Sequence, residues 1–308
     1  MFNYFISRIA SACIVILGVS CLVFFFIHLI PGDPIEVMLG ESARPADREA
    51  LRQALGLDQP VLTQLGQYLS KLAQFDLGRS LHSKQEISAI LWERIPATVE
   101  LALAGLLVAL VLAFPLGIIA ALKRDTAWDH SAMTISLLGV SIPNFWMGPL
   151  LMLLFAIGLG WLPVSGRDEV TSIILPALTL GTAMAAILSR MIRSTLLEVL
   201  GEDYIRTARA KGLSGYHVVT RHALSNAMLP VITLIGLQLG TLLGGAVITE
   251  IVFAWPGVGQ LTIESIQKRD YPVLQACILL ISVSYVVVNT ITDLVYGALD
   301  PRVRLSES

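Results

Sequence analysis

The sequence predicts an all-α polytopic membrane protein with six transmembrane helices, and three observations carry that expectation. Hydrophobic residues make up 55% of the 308-residue chain and charged ones 14%, with a mean hydropathy of +0.74, whereas a soluble domain carries about one quarter charged residues. Six apolar runs each approach or exceed the roughly 20 helical residues that cross about 30 Å of hydrocarbon. Lysines and arginines concentrate in alternate loops, which is how a multispanning chain is oriented.

The spans fall at about 9–30, 98–122, 132–159, 173–191, 227–248 and 273–295. Arg8 precedes the first, as in a secretory signal, but the apolar core exceeds the usual 7 to 15 residues or so and Pro31-Gly32-Asp33 is no small-x-small cleavage site, so this run is expected to stay as a span. The long first loop, 31–95, is expected to fold as a helical cap. Ala50, Leu51, Ala54 and Leu55 lie on helical spacing between Pro45 and Gly56, and Leu62, Leu65, Leu69 and Leu72 repeat the pattern. No boundary divides the chain, which reads as one transmembrane domain over 1–308 with its core at about 95–300.

With the N-terminus inside, the cytoplasmic segments carry eleven Lys and Arg residues and the short outer loops only Arg167, Lys268 and Arg269. Loop 31–95 is too long for the positive-inside rule to apply. Both termini and the loop 193–224 are therefore expected in the cytoplasm, and 31–95 in the periplasm. A net charge of -2 without a basic tail gives no reason to expect nucleic acid. Cys13, Cys21 and Cys277 all fall within spans and read as packing residues, and no Cys/His spacing resembles a metal site.

Inside the spans, Pro115, Pro143, Pro176 and Pro230 each remove a backbone donor and favour a bend. Asn144, Gln238 and Asn289 are the mid-span polar groups, either glue between helices or wall of a pathway. Gly236, Gly240, Gly244 and Gly245 form a small-xxx-small face suited to close helix packing, here expected near a subunit interface, with pathway lining second. Glu250, Asp293 and His28 lie near span ends, where they are expected to be solvated. With no acid or histidine chain at mid-depth, a proton-driven carrier finds no support. Gly-x-x-x-x-Gly-Lys-Ser/Thr, Gly-x-Ser-x-Gly and His-Glu-x-x-His are all absent, so neither nucleotide binding nor intramembrane hydrolysis is indicated, and no catalytic residue is assigned.

The polar loop between the fourth and fifth spans begins Glu202-Asp203-Tyr204 and reaches Arg209-Ala210-Lys211-Gly212. Acids at the start, bases at the end and a glycine stop suit a short helix. This segment resembles the coupling, or EAA, loop of ABC importer permeases in the form found in the dipeptide, oligopeptide, glutathione and nickel family. Pro31-Gly32-Asp33-Pro34, Gly56-Leu57-Asp58-Gln59-Pro60 with Asp76-Leu77-Gly78-Arg79-Ser80, and Trp255-Pro256-Gly257-Val258-Gly259 with Arg269-Asp270-Tyr271-Pro272 resemble the B-type subunit of that family, so the resemblance covers nearly the whole chain.

The resemblance implies a non-catalytic transport subunit of the bacterial inner membrane. It works with a second, paralogous permease, two cytoplasmic ATPases that bind the ATP and Mg, and a periplasmic binding protein. It places the ATPase contact among Tyr204, Arg206, Ala208, Arg209 and Gly212. The general signature opens Glu-Ala-Ala, where this chain has Arg206-Thr207-Ala208, so the contact is spread over those five residues. Segments 163–167, 197–204 and 236–241 look most like the dipeptide branch, with glutathione, longer peptides and nickel chelates open. A secondary transporter would need midplane ion ligands, and an intramembrane enzyme a catalytic pair.

Overall fold

The computed structural model describes residues 2–29, 35, 44–54 and 56–299. The motif at 31–34, Leu55 and the basic Arg302 and Arg304 lie outside them. Among the described residues the regular elements are helical, and the strand-like feature is one antiparallel bridge between Arg79 and Glu86. In chain order they are α1 (Phe2–Leu29), α2 (Pro45–Ala54), α3 (Val61–Ala73), α4 (Ile87–Leu122), α5 (Ala127–Ser141), α6 (Asn144–Leu151), α7 (Ile174–Leu200), α8 (Asp203–Ala210), α9 (Gly215–His217), α10 (Leu224–Gly245), α11 (Val247–Val252), α12 (Val258–Gln267) and α13 (Tyr271–Leu299). Single π-type segments, Met152–Gly158 and Val218–Ala223, extend α6 and lead into α10.

Among the described residues, five stretches are long and apolar enough to cross a membrane: Ile6–Phe26, Ile87–Leu122, Val170–Leu200, Gly215–Leu243 and Tyr271–Gly297. The sixth, expected over 132–159 with a bend favoured at Pro143, is a broken pair. Ala127–Ser141 and Asn144–Gly158 meet at an angle of 101°. Pro143 explains the break: its ring disfavours helical angles in the preceding residue, and Ile142 takes φ -95° and ψ 118°. By contrast α4 begins at Ile87, eleven residues ahead of the expected 98, and carries Pro96 and Pro115 without stopping.

Central α7 packs along α4, where Leu180, Met184, Leu188 and Ile192 form one core with Leu101, Ala109 and Ala113 of α4 and Val231 of α10. Small residues set the spacing. A Cβ on Gly181 would lie 2.6 Å from Val108 Cβ and 2.8 Å from the Gly105 carbonyl, and one on Gly117 2.7 Å from the Ser189 carbonyl. Gly181→Val should therefore force α4 and α7 apart; overpacking costs about 1–3 kcal/mol. A melting temperature several degrees below wild type in detergent is the expected result, and an unchanged one would contradict this packing.

Within the chain, the close-packing role expected of the α10 stripe is filled at Gly236 and Gly240. Gly236 abuts Thr292 with no room for a side chain, and a Cβ on Gly240 would lie 3.1 Å from Tyr285 Cδ2, both partners on α13. Helix α13 also receives α1, where Arg8 pairs with Asp293 at 3.3 Å. Helix α3 rests on α1 through Tyr68 stacked on Phe24, ring centroids 5.6 Å apart. Leu65, Leu69 and Leu72 are half-buried there, while Leu62, expected on the same face, is exposed because it lies in the first turn.

Candidate functional site

Helix α8 lies at one end of the bundle, two residues beyond the end of α7. Its hydrophobic pattern explains its seat: Ile205 and Ala208, three residues apart and so on one face, are the buried pair, packed with Ala121 of α4, Leu196 of α7, and Val218, Ala223 and Ala227 on the way into α10. Burial of a side chain such as Ile205 contributes about 1.5–3 kcal/mol. Tyr204, Arg206, Arg209, Lys211 and Gly212 are exposed. Of the five residues named from the sequence, Ala208 alone thus faces the bundle rather than solvent. The hydroxyl of Tyr204 accepts a hydrogen bond from Asn226 Nδ2 at 2.8 Å, tying α8 to the start of α10.

Gly212 ends the helix with φ +79°. Its N–H donates to the Arg209 carbonyl at 3.0 Å, and that of Leu213 to the Ala208 carbonyl at 3.4 Å. This is the paired closure that favours glycine just past a helix end.

Just above α8, α5 and α7 are joined by an ion pair. Arg193 Nε and Nη2 donate to the two oxygens of Asp129, each at 2.7 Å, and the Asp125 N–H donates to Oδ2 at 3.0 Å. Farther along, Ser189 donates to Ser136 at 2.8 Å.

At the opposite end lie two buried acids, and the first departs from expectation. Glu250 is fully buried rather than solvated, since Thr98 donates to Oε1 at 2.7 Å and the Gln260 N–H to Oε2 at 2.9 Å. The same Thr98 oxygen accepts from the Val258 N–H at 2.8 Å, and Trp255 Nε1 donates to the Ala97 carbonyl at 2.7 Å. The segment 255–259 thus folds around one carboxylate, and a side chain on Gly257 would overlap it. Arg167 caps this end, donating to Glu100 at 2.6 Å and lying 5.8 Å from the Trp255 ring.

Asp270, also buried, accepts from Ser80 Oγ at 2.5 Å and the Leu81 N–H at 3.1 Å. Two motifs 190 positions apart are thereby one structure. Asp270→Ala would unpair these donors and free the turn; trypsin should cut the solubilised variant after Arg79 or Lys84 several-fold faster than wild type, and an equal rate would argue against the anchor.

The polar residues named from the sequence do not converge. Asn144 opens α6 directly after Pro143, Gln238 is half-buried on α10, and Asn289 of α13 turns a buried Oδ1 toward Gly240. Gly244 lies in the last turn of α10. None of them borders the apolar cleft between α4, α10, α12 and α13, whose lining includes Ile95, Thr98, Val99, Leu243, Leu280 and Ser284. Among the described residues no three His, Cys, Asp or Glu side chains converge as a metal site requires.

Residues 113–305 match the family described as the binding-protein-dependent transport system inner membrane component, and residues 1–102 its N-terminal companion. The chain belongs to this family. It is an ABC importer permease. The di/tripeptide transport system permease protein DppB of Pseudomonas aeruginosa (strain UCBPP-PA14) is 45% identical, with 99% of both chains covered. The glutathione transport system permease protein GsiC of Escherichia coli (strain K12) is 44% identical, again over 99% of both. An inward facing structure of the MetNI methionine ABC transporter shares the fold at a TM-score of 0.60 and 18% identity, covering 68% of this chain and 96% of that one. The permease is thus an inner-membrane transport subunit that works with ATPase and other subunits.

Proposed function

We propose that this permease is one of two different halves of a small-peptide importer, moved by cytoplasmic ATPases through α8. The seating of α8 carries the reading: two buried side chains hold it against α4, α7 and the entry to α10, while Tyr204, Arg206, Arg209 and Lys211 face outward. A helix so held passes a push to three spans at once. On this reading the α8 end and both termini are cytoplasmic, and loop 31–95 meets a binding protein in the periplasm. ATP and Mg belong to the ATPases, and this chain contributes neither cofactor nor catalytic group.

Dipeptides and tripeptides are the favoured substrates, supported by likeness to the di/tripeptide permease. Glutathione, itself a tripeptide, is the second reading, supported by nearly equal likeness to the glutathione permease. A second permease is needed because each charged terminus of a peptide costs several kcal/mol to desolvate in hydrocarbon, and one bundle offers few polar groups at mid-depth.

Expression of the chain with its partner permease and ATPases, followed by quantitative mass spectrometry, tests the assembly; a 1:1 permease ratio with stoichiometric ATPases is expected. A transport-competent homodimer, or purification without ATPases, would overturn it. Uptake of labelled dipeptide against labelled glutathione in a deletion strain decides between the substrates. In a cysteine-free background, Ser83→Cys should label in intact cells and Thr207→Cys only after permeabilisation, and the reverse would invert the orientation.

A further inference from the structure

We propose that Asp129 and Arg193 are positioning residues that make the bent pair α5–α6 move as one body with α7 and α8. The proposal rests on the reading of α8 as the ATPase contact. Two parallel hydrogen bonds of 2.7 Å fix the angle between α5 and α7 as well as their distance. Asp129 is only 1% exposed, and its third bond, from the Asp125 N–H, locks the α4–α5 turn to the same carboxylate.

Two further contacts extend the joint along the helices. Ser189 donates to Ser136, and a Cβ on Gly139 would lie 2.6 Å from the Thr182 carbonyl, so backbone meets backbone there. From Asp129 to Gly139 the joint runs about 15 Å at 1.5 Å per residue. Beyond it comes the 101° bend, and then α6, where a Cβ on Gly148 would lie 3.0 Å from both Phe253 and Val252. Those two residues adjoin Glu250 and the segment folded around it. A displacement of α8 therefore has an unbroken line of packed groups from α7 through α5 and α6 to the opposite end of the bundle.

Apolar replacement of a buried ion pair is often neutral for folding, whereas its directional hold is lost. Asp129→Leu with Arg193→Met tests the proposal in the complete importer, reconstituted in vesicles and supplied with labelled dipeptide. This pair should assemble and hydrolyse ATP as wild type does, yet transport at less than one tenth of the wild-type rate. Arg193→Lys, which keeps the charge without the fork, should fall between, and the exchanged pair Asp129→Arg with Arg193→Asp should recover part of the loss. Wild-type uptake by the apolar pair overturns the proposal. So does failure of every variant to assemble, which assigns the ion pair to folding alone. A wild-type complex without ATPases or peptide uptake would instead overturn the reading of α8 and this proposal with it, a result distinct from an unimpaired apolar pair in a working importer.

Discussion

Glu250→Leu is expected to lower the amount of folded permease in membranes at least tenfold. The substitution removes the acceptor of two buried donors, Thr98 Oγ1 and the Gln260 N–H. Each donor left unpaired costs about 1–3 kcal/mol, and each 1.4 kcal/mol is about a factor of ten. The damage spreads, because Thr98 also holds the Val258 N–H and the segment it anchors buries Trp255. Glu250→Gln retains one acceptor and should fall between. Gly257→Ala should resemble Glu250→Leu, since its methyl group would overlap the carboxylate. Detergent extraction with fluorescence-detected size exclusion measures all three, and a wild-type profile for Glu250→Leu would show that the carboxylate is dispensable.

The second large effect concerns transport rather than folding. Gly212→Val is expected to cut uptake at least tenfold while the complex still assembles. Apart from the adjoining residues, no heavy atom lies within 4 Å of a Cβ at this position, so the added Cβ enters open space. Its cost is conformational: φ +79° is left-handed backbone, which penalises a side chain by about 1–2 kcal/mol and a β-branched one more. The chain relieves that strain by undoing the turn that closes α8, and the exposed face then shifts against whatever docks on it. Asparagine tolerates such angles, so Gly212→Asn should retain most uptake. Uptake measured beside ATP hydrolysis and complex yield decides the matter, and normal uptake by the valine variant would refute the argument.

Much of the bundle was legible because its signals are local. Span length and the glycine stop of α8 are both read within some 25 residues. The misreadings occur where distant residues meet. Glu250 looks like an interfacial acid on its own helix, yet residues 98 and 255–260 enclose it. The signal available was the segment Trp255-Pro256-Gly257-Val258-Gly259 close behind it, whose glycines make space for a carboxylate. The α10 stripe was legible as a packing surface, but not that α13 fills it at Gly236 and Gly240, because periodicity names a face and not its occupant. Pro143 was recognised as a bend, but only the helices around it set the 101°. No sequence pattern joined Asp129 to Arg193, which lie on different helices 64 positions apart.

The Ser80–Asp270 contact also has a meaning in time. At synthesis rates of about 5–20 residues per second, the 190 positions between the two take roughly 10 to 40 s to emerge. The turn that holds Ser80 must wait that long for its acceptor, as α1 waits for α13. Folding of this permease is thus closed by its last helix, and a chain truncated before residue 270 should be recognised by quality-control proteases as unfinished, with its first loop still unanchored.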